Sequence, residues 1–231
     1  MKKILALATF AALCAAQPAL AEKTGFYVGA DVGQMSVDID KGDLDTALTD
    51  ALFFFGAQID PDTASSDVDD SDTTFGLTVG YRFMPYLAVE GQYLDLGEAK
   101  YTASGDVYDD FGKFIGVGDA ELSVDSSGFA LSVLGILPIQ EVWEVYARLG
   151  MYFGDTEASS SFSLDGEVIP DLTGSDSQSE EEFFYGIGGG YTFNETWNIR
   201  AEYTIFQDIG DEDLTGESDL DRFVLGVNYR F

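Results

Sequence analysis

The sequence predicts an all-β protein: an eight-stranded antiparallel up-and-down transmembrane β-barrel. Three observations predict it. Eight runs of 10 to 14 residues alternate bulky apolar side chains with small or polar ones, and successive side chains of a strand point to opposite faces. Each run is a little longer than the roughly 9–11 residues that a tilted strand needs to cross a bilayer. The connections between runs also alternate, short then long. Finally, all five arginines fall on the polar faces of these runs.

The elements follow in order. Residues 1–21 read as a secretory signal peptide: basic "MKK", the apolar run "ILALATFAALCAA", and a small-x-small site "ALA" before Glu22. Cleavage after Ala21 discards Cys14, and the barrel domain is expected over 22–231. The first strand, 24–37, puts Phe26, Val28, Ala30 and Val32 on one face and Asp31 on the other. Residues 73–83 set Phe75, Leu77, Val79, Tyr81 and Phe83 against Arg82. Residues 86–96 set Leu87, Val89 and Tyr93 against Glu90. Residues 127–137 are apolar on both faces, which leaves their register open. Residues 143–153 set Trp143 to Phe153 against Glu144 and Arg148. Residues 182–193 alternate bulk with glycine. Residues 197–206 set Trp197, Ile199, Ala201, Tyr203 and Ile205 against Arg200 and Glu202. Residues 221–231 set Phe223, Leu225, Val227, Tyr229 and Phe231 against Arg222 and Arg230.

The turns "MP", "PIQEV" and "NET" join strands two to three, four to five and six to seven. Acidic segments join the rest: residues 38–72, 97–125, 155–182 and 208–221. The formal charge is −31, and these segments carry nearly all of it: 34 of the 42 acidic residues. The framework between them is close to neutral. The sign of the charge excludes nucleic acid as a partner.

A charge facing lipid is costly, and a charge enclosed by a sheet needs a partner. The expected orientation is therefore apolar face to lipid and polar face to the lumen. Asp31, Arg82, Glu90, Glu144, Arg148, Arg200, Glu202, Arg222 and Arg230 are expected to form a paired network there. Aromatic residues near the strand ends suit the bilayer interfaces. A soluble barrel with its bulky face inward would carry Lys and Glu on its outer strand faces, and lysine is absent from strands two to eight.

The chemistry is limited. Histidine is absent, so a His-based hydrolytic site is excluded, and no cofactor is expected. Glu90, Glu144 and Glu202 read as counter-ions of lumen arginines rather than as a carboxylate pair. No metal site is assigned. Asp60, Asp62, Asp67, Asp69, Asp70 and Asp72 are weak divalent-cation candidates, because carboxylates suit hard cations but the spacing lacks the EF-hand pattern. Loop one, about 35 residues long, places Leu44, Leu48, Leu52 and Phe55 at helical spacing. That reads as a short helix over the barrel mouth, while Phe53 to Phe55 also suit a partner or the outer leaflet.

"GYRF" before "LAVEGQYLDL", "GGYTF" before "WNIRAEYTIF", and the ending "GVNYRF" resemble the OmpA-like eight-stranded outer-membrane β-barrel family. The resemblance spans the chain after residue 21 and covers the barrel part only, without the peptidoglycan-binding domain of larger members. It implies localisation in the outer membrane of a Gram-negative bacterium, with lipid, lipopolysaccharide and the barrel-assembly machinery as partners. Gly226, Tyr229 and Phe231 match the family's C-terminal assembly signal; Val224 departs from it. The expected function is a non-enzymatic, structural role at the surface, with loops presented to ions, lipopolysaccharide or partners. The alternative is a small ion or solute channel.

Overall fold

In lipid no water is available to satisfy a backbone N–H or C=O, so a sheet that crosses it must close on itself. A computed structural model describes residues 24–209 and 218–231 and shows that closure. The wall strands are β1 (Gly25–Val37), β2 (Ser71–Met84), β3 (Leu87–Asp109), β4 (Phe114–Ile139), β5 (Trp143–Leu164), β6 (Gly174–Thr192), β7 (Trp197–Ile209) and β8 (Ser218–Arg230). Each pairs antiparallel with its sequence neighbours. β1 and β8 then close the ring, in register from Tyr27–Arg230 to Val37–Leu220. The expected leader and its cleavage site lie outside the described residues, as does the middle of the fourth acidic segment.

The bulky face points outward. Phe26, Val32, Leu77, Val79, Phe129, Leu131, Ile187 and Leu225 are all exposed on the wall, while Arg82, Arg148, Arg200 and Arg222 are buried inside it. The register of β4, open in the sequence, places Ala130, Ser132, Leu134 and Ile136 inward, all buried. On β5 the apolar outer face runs from Trp143 to Phe153. Ten residue steps at about 3.3 Å, tilted by roughly 40°, give a belt about 25 Å tall, the height of a bilayer's hydrocarbon core. At the turn end the belt finishes in packed aromatic pairs: Phe26–Tyr81, Tyr81–Phe83, Trp143–Tyr191, Trp197–Tyr229 and Tyr229–Phe231.

Two of the acidic segments expected as loops are instead mostly strand. The β3–β4 ladder continues from Leu87–Gly135 to Tyr108–Phe114, so 97–125 is a hairpin that turns only at 110–113. The β5–β6 ladder continues to Ser160–Gly174. β6 meets β7 only up to the Phe184–Phe206 pair. Above the belt, then, β3 to β6 project as an extended sheet. Short strands Ala57–Ile59 and Ser65–Asp69 line the edge of β3, and Glu167–Val168 folds back on β5. Beyond the lipid an alternating apolar face is unnecessary, but backbone pairing still holds the ladder, so acidic composition hides the strands. Asp165 and Gly166 both take positive φ, which suits the tight Asp-Gly turn that starts the fold-back.

Loop one contains the expected helix, α1 (Lys41–Phe54), with Asp40 as its N-cap accepting from the Gly42 amide at 2.7 Å. Leu44 and Leu48 pack on Tyr101, Ala103 and Ala120 of the projecting sheet, and Leu52 is buried. Phe55 differs from the expected pattern. It lies just past the last helical turn and is exposed with Phe53 and Phe54.

Polar contacts fasten α1 to the sheet. Lys41 Nζ donates to Asp45 Oδ2 at 2.8 Å and to Ser66 Oγ at 2.5 Å, and Tyr101 Oη donates to Asp45 Oδ1 at 2.8 Å. The bond from Lys41, with those to Ser66 and Tyr101, holds the Asp45 carboxyl down at about 2. Burial, then the bond to Asp45, pushes the Tyr101 phenol up to about 12. A depressed carboxyl stabilises docking above its unfolded value, about 3.9, and a raised phenol does so below about 10. Spin-label distances between positions 47 and 102 should therefore broaden as pH falls from about 4 through about 2, and again as it rises from about 10 through about 12. In Asp45→Asn the acid transition should disappear.

Candidate functional site

Closing the wall encloses its polar face, and that face forms the candidate site. Arg148 on β5 lies at its centre, fully buried. Its Nη2 donates to Glu90 Oε2 at 2.6 Å and to Glu202 Oε2 at 2.9 Å, while Nη1 donates to Gln92 Oε1 at 2.5 Å and Ser132 Oγ at 2.9 Å. Arg200 on β7 shares Glu90, donating to Oε1 at 2.8 Å, and reaches Thr78 Oγ1 at 3.1 Å. It also lies 3.9 Å from Asp31. Arg222 on β8 pairs with Asp31 and donates to Thr74 Oγ1 at 2.9 Å. Tyr27 donates to Glu90 at 2.5 Å and Tyr146 to Glu202 at 2.8 Å. Seven strands thus meet around three carboxylates and three guanidinium groups.

Arg82 and Glu144 form a separate pair at 2.8 Å nearer the turns. Arg82 also donates to the Pro85 carbonyl at 2.5 Å. Arg230 is not joined to the rest. Among the described residues no carboxylate lies within ion-pair distance of it, and its Nε is buried without a partner. It lines a small cavity of about 30 Å³ at the turn end with Arg82, Glu144, Asn228 and Glu195. At the last position of β8 its head is only partly enclosed, so water can serve where a carboxylate is missing.

Inward glycines make the room. On β6 the space is filled by side chains of neighbouring strands. The Tyr146 ring covers Gly188, Glu144 and Asn198 crowd Gly190, and Thr204 crowds Gly186. Tyr27 covers Gly80 in the same way. Gly226, expected from the assembly signal, also serves the network: a Cβ there would lie 3.0 Å from Asp31 Cβ and 3.4 Å from Arg200 Cγ. Tyr229 and Phe231 stand outside in the aromatic girdle.

Sequence reasoning missed the second layer of the lumen. On the loop side of the charges the interior is apolar: Met35, Leu94, Leu96, Ala130, Tyr152, Phe184, Phe206 and Leu220 are buried in one cluster. Phe184 stacks on Phe206 with centroids 4.9 Å apart. The available signal was a break in alternation: Leu94, Phe184 and Phe206 are large apolar residues at inward positions, beside outward Tyr93, Tyr185 and Ile205.

The cation candidates do not converge. Asp60 accepts from the Asp62 amide and Asp72 from the Thr73 and Glu98 amides, while Asp67 and Asp69 lie exposed on a short strand. Among the described residues no three His, Cys, Asp or Glu side chains gather as metal ligands. Like charges instead face each other across the strands, as in Glu98–Asp125–Glu157. Partial burial and then the repulsion of Glu157 raise the Asp125 carboxyl above its ordinary value.

Arg148→Gln should leave Glu90 and Glu202 buried with too little positive charge, at a cost of about 3–5 kcal/mol. Gly188→Ala should displace Tyr146 from Glu202 and cost about 1–3 kcal/mol. Both are read as a lower temperature at which the compact band of unheated protein in detergent gels converts to the extended form. No drop in either variant would mean that the network adds nothing to the stability of the barrel.

Comparison with known proteins places the chain. No curated protein matches the sequence. Neisserial surface protein A is similar at 17% identity over 90% of this chain and 97% of that one, with a TM-score of 0.46. The attachment invasion locus protein Ail of Yersinia pestis, in complex with a heparin analogue, is similar at 15% identity over 90% and 99%, with a TM-score of 0.42. OprG from Pseudomonas aeruginosa is similar at 17% identity over 91% and 98%, with a TM-score of 0.41. The outer membrane protein beta-barrel domain matches residues 5–231, so the chain belongs to that family and its place is the outer membrane of a Gram-negative bacterium.

Proposed function

We propose that this barrel is a closed, non-enzymatic surface protein whose wall holds an acidic β-sheet above the outer leaflet. In this reading the short turns face the periplasm, and the projecting sheet meets ions, lipopolysaccharide or partner molecules outside the cell. The observation that carries the reading is the double closure of the lumen. A paired charge layer centred on Arg148 is stacked below an apolar layer around Phe184 and Phe206. An eight-stranded barrel has an interior just wide enough for side chains to fill. An ion would have to break the first layer and then shed its water in the second. Residues 1–21 are read as a leader removed after Ala21 on export, and the Gly226–Phe231 ending as the part offered to the barrel-assembly machinery.

The second reading, a small ion or solute channel, rests on the sharing of Glu90 between Arg148 and Arg200, which gives the pairs a way to exchange. Planar-bilayer recording separates the two. The surface reading expects a silent membrane from the wild-type protein, and steady conductance steps would overturn it. Phe184→Ala with Phe206→Ala should leave the membrane silent as long as the charge layer holds. Adding Arg148→Gln to that pair should produce leak.

A further inference from the structure

The tip of the projecting sheet presents aromatic residues where a water-exposed surface has no use for them. Phe53, Phe54 and Phe55 are 67%, 84% and 58% exposed, and Phe111 in the β3–β4 turn is 95% exposed. The fold brings these two segments together. Ala57 pairs with Asp109, and Gly56 lies against the Asp110 carboxylate. Phe114, half exposed, packs edge-on against Tyr108 beside them, with centroids 5.6 Å apart. Three consecutive phenylalanines at a helix end point in three directions about 100° apart, so packing on one side cannot bury them all. Exposed Asp50 and Asp110, half-exposed Asp109 and a single cation, Lys113, surround the cluster.

Resting on the surface reading above, we propose that this tip docks a cationic polypeptide segment that carries apolar side chains among its basic ones. The aromatic cluster supplies the buried centre that interfaces need, and the aspartates supply a complementary rim. Two other occupants fit worse. From Asp95, where the lipid belt ends on β3, to Asp109 the strand runs about 45 Å and, at the tilt of the wall, climbs roughly 35 Å, too far for the phenylalanines to reach this protein's own outer leaflet. A second copy would bring one acidic rim against another.

The test uses the full barrel in phosphatidylcholine nanodiscs, with empty discs as blank. The probe is a synthetic amphipathic Lys/Leu peptide, compared with the same peptide carrying Ser for Leu, with polylysine, and with anionic phosphatidylglycerol vesicles. The Lys/Leu peptide should bind at least about tenfold more tightly than its Ser version. Phe54→Ser with Phe111→Ser should remove that advantage and leave polylysine binding unchanged. Asp109→Asn with Asp110→Asn should weaken binding and flatten its salt dependence. Phe54, Phe111 and Asp110 are exposed, Asp109 is half-exposed and as Asn keeps the Oδ1 that accepts from the Phe111 and Lys113 amides, and the gel shift on boiling reports that the barrel is intact. Equal binding of the Leu and Ser peptides, an unchanged Phe54/Phe111 variant, preferential capture of vesicles, or self-association through the tip would each overturn the proposal. The bilayer recordings of the same protein test the surface reading separately, so a silent barrel without peptide binding rejects the tip alone.

Discussion

A peptide group in hydrocarbon has nothing to bond with except another peptide group, and each one left unpaired costs several kcal/mol. The rest of this architecture follows from that constraint. β8 cannot remain an edge, so it pairs with β1 along eleven residues, from Tyr27–Arg230 to Val37–Leu220. Closure then turns one sheet face into a wall against lipid and the other into a sealed interior. The two faces obey different rules. Outside, only apolar area and interfacial aromatics are tolerated. Inside, every charge brought in must meet an opposite one, because no solvent is available to screen it.

The interior meets that demand by sharing rather than by isolated pairs. Glu90 accepts from Arg148, Arg200 and Tyr27, and Glu202 accepts from Arg148, Tyr146 and Thr204. Both oxygens of each carboxylate are thus used, which is the condition under which burial of a charge becomes tolerable. Partners drawn from strands on opposite sides of the ring also fix the cross-section of the barrel. Glycine is needed at inward positions for the same reason: the bodies of Tyr27 and Tyr146 lie where Cβ atoms of Gly80 and Gly188 would stand. Five guanidinium groups against Asp31, Glu90, Glu144 and Glu202 leave one over. That one is Arg230, at the mouth, where hydration costs least.

The wall strands and their facing were legible in the sequence because lipid imposes a strict period-two pattern, and Arg82, Arg148, Arg200 and Arg222 marked the inner face by their charge. The parts that were not legible share a physical cause, which is that the pattern carries no obligation there. Beyond Asp95 and Asp155 no apolar face is required, so the ladders of β3–β4 and β5–β6 look like acidic loops. Leu94, Phe184 and Phe206 are as acceptable in an enclosed lumen as in lipid, so alternation alone could not reveal the inner apolar layer. Loop one was half legible. Leu44 and Leu48 announced a helix, but where it ended relative to Phe55 depended on a turn that the spacing does not encode.

Why a sheet so crowded with carboxylates holds together above the membrane is a question of which face carries what. Glu98, Asp125 and Glu157 stand directly opposite one another on neighbouring strands, an arrangement that disfavours pairing. Two terms oppose it. The backbone ladders continue from the barrel, unbroken on β5 and shifted on β3 only at Asp95/Glu98 and Val107/Tyr108, so the extension inherits register from a rigid base and adds hydrogen bonds without new loop-closure entropy. On the other face Tyr101, Ala103, Ala120 and Phe162 bury apolar area against Leu44 and Leu48 of α1. Apolar contact is thus kept on the helix-covered face and charge on the outward one, where water screens it. Exposed charge also protects the free β6 edge from pairing with another sheet, since strands that carry Asp176 and Glu181 repel their own kind. The acidity that weakens each cross-strand pair therefore keeps an extended sheet with a free edge from pairing with other sheets beyond the bilayer.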